Sequence, residues 1–327
     1  MKPVFKLIPA LLFLFISIAV KAQDEEKTRE KKRYEFFKER NISKTYSASG
    51  NNLSIDNQFG EVKITTWDKN EIKVDIHIEA SSNVKDMMEN TFDNIDVNDS
   101  QNGKEISFKT VMNKNKGKDI SCHNCSNTMS IDYDIKMPAN NKLTIHNSFG
   151  ATIIPDFSGP LSITSQYGSL TAGKMSNLDK LDLSFGSAKL KDLSNTDVTF
   201  SYSSINIDNL SGNNKIKMEF CGYSKIILSD NLGSLNLNDS YSQVHLQPAS
   251  NLSATYDIRT SYGSFTDKTG GNIKRTDQPE EYGPDLDKHY EGKTGSGGAK
   301  ITINSSFGSI LIGEGTKADM NKKKVRT

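Results

Sequence analysis

Across residues 46–80 the apolar positions fall on every second residue. Leu53-x-Ile55, Val62-x-Ile64 and Ile72-x-Val74-x-Ile76-x-Ile78 have the period of strands with one face buried. The period then changes. Val84, Met87, Met88, Phe92 and Ile95 fall at helical spacing and predict one amphipathic helix with that stripe on the core. Its methionines read as core filler rather than ligands. Strands are expected again at 105–111 and 129–137, separated by a polar, Gly-containing loop at 113–127.

From residue 141 one phrase recurs. It runs Leu143-Thr-Ile145-His-Asn147-Ser-Phe149-Gly150, then Leu161-Ser-Ile163-Thr-Ser165-Gln-Tyr167-Gly168, then Leu181-Asp-Leu183-Ser-Phe185-Gly186. Degenerate copies centre on Tyr202, Tyr223 and Tyr241, and clearer ones return at Tyr262-Gly263 and Phe307-Gly308. An outlying copy at Phe59-Gly60 precedes the predicted helix. The aromatic positions from 149 to 262 are separated by 18, 18, 17, 21, 18 and 21 residues. A fixed period near ~20 marks stacked supersecondary units.

The fold expected is all-β: a single-stranded parallel β-solenoid, or β-helix, with rungs of about 18–21 residues, preceded by a β segment carrying the one helix. Within each phrase the aromatic shares parity with the apolar positions before it, so the rings are expected inside, stacked as an internal column. The Gly after each ring is expected to supply the backbone conformation of a corner. Inward small residues (Asn147, Ser165, Thr260, Ser305) are expected to hydrogen-bond along a ladder. The Tyr223 copy slips by one residue. Cys221-Gly222 reads as a bulge there, with Phe220 as the alternative ring. The organisation predicted is a cap-like 46–140, the solenoid over 141–312 with a long loop at 267–299, and a basic tail at 313–327. Residues 304–312 would close the far end. As core residues, Tyr167 and Phe185 would cost several kcal/mol on replacement by Ala.

Only 35% of the 327 residues are hydrophobic, and 25% are charged, a balance that alone would suggest disorder; the strict patterning argues otherwise. Residues 1–22 read as a secretory signal peptide, with Lys2 and Lys6 before a fourteen-residue apolar run and Val20-Lys21-Ala22 at the cleavage site. That run is too short to span a bilayer as a stable helix, so no transmembrane segment is expected in the mature chain. Removing Lys2, Lys6 and Lys21 takes the formal charge from +1 to −2. A near-neutral chain has no electrostatic footprint for nucleic acid. Residues 23–45 read as a charged linker: thirteen of the seventeen residues 24–40 are charged. Tyr34, Phe36 and Phe37 leave room in it for a short docking helix.

Little in the chain suggests chemistry. Cys122-His123-Asn124-Cys125 reads as a loop-closing disulfide between Cys122 and Cys125, with metal binding or redox work as alternatives; Cys221 reads as a buried apolar thiol. The histidines are scattered, and His146 and His245 are expected to face solvent. There is no Gly-x-Ser-x-Gly elbow, His-Glu-x-x-His helix or phosphate loop. Asp182, Asp192, Asp197, Asp208, Asp230 and Asp239 do not recur at one rung position as a catalytic line would. No catalytic residue, cofactor or metal is expected.

Two stretches resemble the putative-adhesin family of exported proteins of Bacteroidota. The first is Leu53-Ser-Ile55-Asp-Asn57-Gln-Phe59-Gly60-Glu-Val62-Lys-Ile64-Thr-Thr-Trp67-Asp68-Lys69-Asn70-Glu71. The second is Tyr290-Glu-Gly292-Lys-Thr-Gly295-Ser-Gly297 with the Ile301 to Ile310 phrase after it. The resemblance spans roughly residues 45–312 and implies a β-solenoid and an adhesin role, with no catalytic residues to carry over. The expectation is a non-enzymatic interaction protein of the periplasm or outer cell surface. Its partner would be a glycan or protein of the cell envelope, bound by the solenoid exterior. The alternatives are a periplasmic sensor or envelope-assembly component docking through residues 24–40, and a β-helix polysaccharide-active enzyme.

Overall fold

The computed structural model of the chain describes residues 34–113, 124–279 and 282–320. Among these, 23 strands join into one hydrogen-bonded sheet accompanied by two short helices. The alternating segments form strands Asn52–Gln58, Val62–Thr66, Glu71–Ser82, Glu105–Met112 and Asn127–Met137. The predicted helix is Lys85–Asp93, with Met88 and Phe92 buried; Ile95 already opens the next strand. The predicted signal peptide lies outside the described residues. Within them, no helix is long and apolar enough to cross a membrane.

The charged segment ends earlier than expected. Phe36–Ser47 is a strand, antiparallel to Glu71–Ser82 from Phe36↔Ser82 to Ser47↔Glu71, and not a linker or docking helix. Charge density hid the alternation, because one of the half-buried positions on that face is Arg40. Its guanidinium donates to the Ile95 carbonyl, lies 3.9 Å from Asp96 and sits 5.3 Å from the Phe92 ring centre. The charge is thus kept at the edge while the stem packs.

From residue 143 onward, strands pair in parallel and in register about one period apart. Ile145 faces Ile163, Ile163 faces Leu181, Leu181 faces Val198, Val198 faces Ile216 and Ile216 faces Leu237. All six are 0–1% exposed, so the inner column is aliphatic. A second buried column runs Phe157, Met175, Leu193, Leu210, Leu228. Each strand buries its apolar face only because a like residue stacks on it above and below.

Two placements depart from sequence order. Asn52–Gln58 lies directly on Leu143–Ser148, with Ile55 against Ile145. At the other end, Ala299–Ser306 lies between Tyr223–Ser240 and Ala254–Ser261: Ile303 faces Leu237 on one side and Ile258 on the other. Residues 304–312 are therefore interior to the sheet and do not close it. The closing strand is Asp287–Thr294, antiparallel to Ala254–Ser261 and carrying Ile273–Arg275 on its far side. Both belong to the segment expected as a loop. A sheet ending at Ala254–Ser261 would leave unpaired backbone groups, and an antiparallel return satisfies them without a crossover.

Candidate functional site: an external ladder of rings

Each repeat turns a corner at its aromatic. The preceding strand ends one residue earlier, and the aromatic itself takes left-handed backbone: φ is 50–64° at Phe59, Phe149, Tyr167, Phe185, Tyr202, Phe220, Tyr241, Tyr262 and Phe307. The parallel ladder runs through the corner. The ring residue's N–H donates to the carbonyl just before the next ring, as in Phe149 N–H to Gln166 at 2.9 Å and Tyr167 N–H to Ser184 at 3.0 Å. Left-handed backbone breaks the strand alternation, so the ring points out where parity placed it in. Phe149, Tyr167, Phe185, Tyr202, Phe220, Tyr241, Tyr262 and Phe307 are 45–57% exposed, and Phe59 is half-buried. The expected internal aromatic column is an external one.

The glycines play a different part from the one expected. Gly60, Gly150, Gly168, Gly186, Gly263 and Gly308 are not the left-handed residues of their corners. They are the points of closest approach. A Cβ on Gly150 would overlap the Gly60 carbonyl, one on Gly168 that of Gly150, and one on Gly186 that of Gly168. Where Gly is lost, a small residue substitutes: Ser203 follows Tyr202, and its hydroxyl accepts from Gly186 N–H at 3.1 Å.

In space the rings run Phe59, Phe149, Tyr167, Phe185, Tyr202, Phe220, Tyr241, Phe307, Tyr262. Successive centroids are 4.7–5.1 Å apart, with planes 1–13° from parallel. Tyr223 is not among them. Phe220 holds the place, in line with Ile216 and Met218 at the usual spacing, and Cys221-Gly222 gives that corner its extra residue. Tyr223 instead is partly buried, its hydroxyl 2.9 Å from His245 Nδ1. From Phe149 onward Phe and Tyr alternate strictly. That order exists only in space, because Phe307 inserts between Tyr241 and Tyr262. The hydroxyls of Tyr167, Tyr202, Tyr241 and Tyr262 have no hydrogen-bond partner among the described residues.

Two outward columns flank the rings. On the leading side run Ser148, Gln166, Ser184, Ser201, Glu219, Ser240, Ser306 and Ser261, in register. On the trailing side, Ala151, Ser169, Ser187 and Ser204 are matched further along by Gln243, Ser309 and Ser264. Glu219 is neutralised by Lys217 at 3.0 Å.

Beneath the corners the small inward residues form a ladder only in part. Asn57 Nδ2 donates to Asn147 Oδ1 at 3.2 Å, and Ser305 Oγ donates to Asp239 Oδ2 at 2.6 Å. The hydroxyls of Ser165 and Thr260 and the other Asp239 oxygen are buried without partners. Burial pushes the Asp239 carboxyl above its ordinary range, against the opposing hydrogen bonds.

His146 is exposed as expected, but His245 is 1% exposed, held between Tyr223 and the Gly313 carbonyl at 2.8 Å. Parity alone placed it outside; the second helix, Lys317–Met320, belongs to an outer layer that covers this face, with Lys317 5.9 Å from the Tyr223 ring centre and Leu311 and Met320 buried. Cys221 is a buried free thiol, raised by burial. Cys122 lies outside the described residues, and with it the Cys122–Cys125 pairing. Among the described residues, Glu39, His77 and Glu79 bring potential ligand atoms within 4.8 Å of one another, a set that residue spacing did not suggest because it spans two antiparallel strands. A polar groove of about 890 Å³ beside Trp67 runs between turns tied by Asn141, whose Nδ2 donates to the Ala48 and Asn51 carbonyls at 2.6 and 2.8 Å.

No family model matches the chain, and no curated protein matches it. Among solved structures it is similar to a putative adhesin from Bacteroides fragilis at 11% identity and TM-score 0.44, over 84% of this chain and 97% of that one. A putative adhesin from Parabacteroides distasonis aligns over 84% and 97% at 10% identity and TM-score 0.31. A putative cell adhesion protein from Clostridium sporogenes aligns over 85% and 100% at 14% identity and TM-score 0.24. The likeness is one of extent rather than close superposition.

Proposed function

We propose that the chain is an exported, non-enzymatic interaction protein of adhesin type. In this reading its parallel strands wind as one β-solenoid, and its contact surface is the ring ladder, which meets a glycan or protein of the cell envelope. The observation that carries this is the exposure of the ring row. Left-handed backbone costs a bulky residue about 1–2 kcal/mol. Stacking offsets that cost, yet it leaves Phe149, Tyr167, Phe185, Tyr202, Phe220, Tyr241, Tyr262 and Phe307 45–57% exposed in one continuous row. At roughly 100 Å² exposed per half-buried ring, the ladder is also larger than the apolar patch a solitary protein normally leaves open. The docking alternative loses ground, since Phe36–Arg40, the aromatic end of the charged segment, is part of a strand. For the enzymatic alternative, several carboxylates along the repeated strands are ion-paired, such as Asp182 with Lys180 at 2.9 Å and Asp197 with Lys215 at 3.0 Å.

The test is a variant with Tyr167, Phe185 and Tyr202 all changed to Gly, which suits left-handed backbone. With circular dichroism unchanged, its retention on native envelope fractions should fall at least about tenfold, the scale on which loss of central aromatics weakens an interface. A folded variant that binds like the parent sinks the proposal, as does release of new reducing or unsaturated ends from a polysaccharide panel.

A further inference from the structure

We infer that the ladder takes a flat, extended, uncharged glycan chain of the β-1,4-linked pyranose type, laid along the rings with its apolar face down. This rests on the ladder being the contact surface and specifies what it contacts. The ring faces are closed: at 4.7–5.1 Å they cover one another, so nothing can intercalate and only ring edges meet a ligand. The ladder is therefore a narrow apolar ribbon, roughly 40 Å long at the ~4.8 Å strand spacing. Hydroxyl and amide columns border it on both sides, as at Ser184 and Ser187 beside Phe185.

A β-1,4-linked chain has the matching cross-section. Its sugar rings present axial C–H groups on the flat faces and equatorial hydroxyls along both edges. It also has the matching period, since each sugar advances the chain by about one ring width and alternate sugars present the same edge. The Tyr hydroxyls recur on alternate rungs, roughly 9.6 Å apart at two strand spacings. They are free to meet every second sugar. An extended peptide does not fit this period, because its side chains repeat on one face every ~6.6 Å. The border carries little charge: Glu219 is paired with Lys217, and Glu61 stands beside Phe59, at one end. That favours a neutral chain over an anionic polymer, and the bordering columns lack the basic residues by which interfacial proteins hold anionic lipid.

The experiment uses the full mature chain with insoluble chitin and cellulose as probes. Starch granules, a β-1,3-glucan, and vesicles of neutral and of anionic lipid are the comparison arms. Retention on chitin or cellulose is expected, with affinity for soluble fragments rising steeply with chain length as more rungs engage. Tyr167→Phe, Tyr202→Phe and Tyr241→Phe together keep every stacked ring and remove only hydroxyls. This variant should bind at least about tenfold more weakly, as loss of three hydrogen bonds implies. No retention on either β-1,4-glycan overturns the inference, as does equal retention on starch, binding to vesicles instead, or affinity unchanged in the triple Phe variant. If the glycans fail while the triple Gly variant still loses envelope binding, the glycan is wrong and the contact surface stands. If neither variant changes any binding, both readings fall.

Discussion

At the scale of the residue, each ring roughly offsets its own backbone. Left-handed φ costs about 1–2 kcal/mol, while stacking returns about 0.5–1.5 kcal/mol per neighbouring pair. Half-burial of the ring adds roughly 1 kcal/mol. The usual order of substitution should therefore invert. Tyr202→Ala is expected to lower stability by about 2 kcal/mol, because Ala keeps the strained backbone without the stack; Tyr202→Gly should cost about 1 kcal/mol less than that. Denaturant unfolding of both variants checks this, and Ala being the milder change would show that the corner is not left-handed in solution. Asp239 is the residue whose titration should be visible. Its carboxyl is raised in the fold, so the unfolded chain ionises first and stability is lost as pH rises from the ordinary carboxylate value, about 3.9, through the raised one. Asp239→Asn should gain about 1–3 kcal/mol at pH 7. That gain should vanish below about pH 4; a pH-independent difference would assign the effect to packing.

At the scale of the element, the last two strands hold their neighbours on both sides together. Ala299–Ser306 pairs on both edges, and Ser309–Gly313 does the same between Gln243–Pro248 and Ser264–Lys268. Ala299, Ile301, Ile303, Ile310, Leu311 and Ile312 are all buried there. At about 1.5–3 kcal/mol for each larger side chain, their loss is comparable to the ~5–15 kcal/mol stability of a whole domain. A chain ended at Gly298 should therefore melt far lower and associate with concentration through the strand edges it exposes. Light scattering during size-exclusion chromatography would detect this; a monomer of unchanged melting point would show that the sheet holds without its last two strands. This insertion was not legible in the sequence, since nothing local distinguishes a strand that ends a sheet from one that fills a gap inside it. The strand Asp287–Thr294 was missed for a related reason: none of its residues is buried, so it lacks the apolar alternation that marks a half-buried strand.

For the whole molecule, the spacing of the rings was legible and the side they face was not. Alternation and the ~20-residue period depend on near neighbours in sequence, and both follow from the chain alone. So do the aliphatic inner columns and the identity of the recurring rings; Phe220 was recoverable from its spacing to Ile216 and Met218. Parity fails at the one residue per turn that leaves the strand region of backbone space. There the ring's direction is set by a dihedral that depends on the following segment's carbonyl accepting its N–H and on the preceding segment's carbonyl leaving no room for a Cβ at the Gly after it. Those contacts come from residues distant along the chain. The same is true of the strict Phe and Tyr order, which exists only once Phe307 is seated between Tyr241 and Tyr262. Local patterning thus determined the alternation and the spacing of the rings, whereas packing between paired strands decided which way the rings face and in what order they lie.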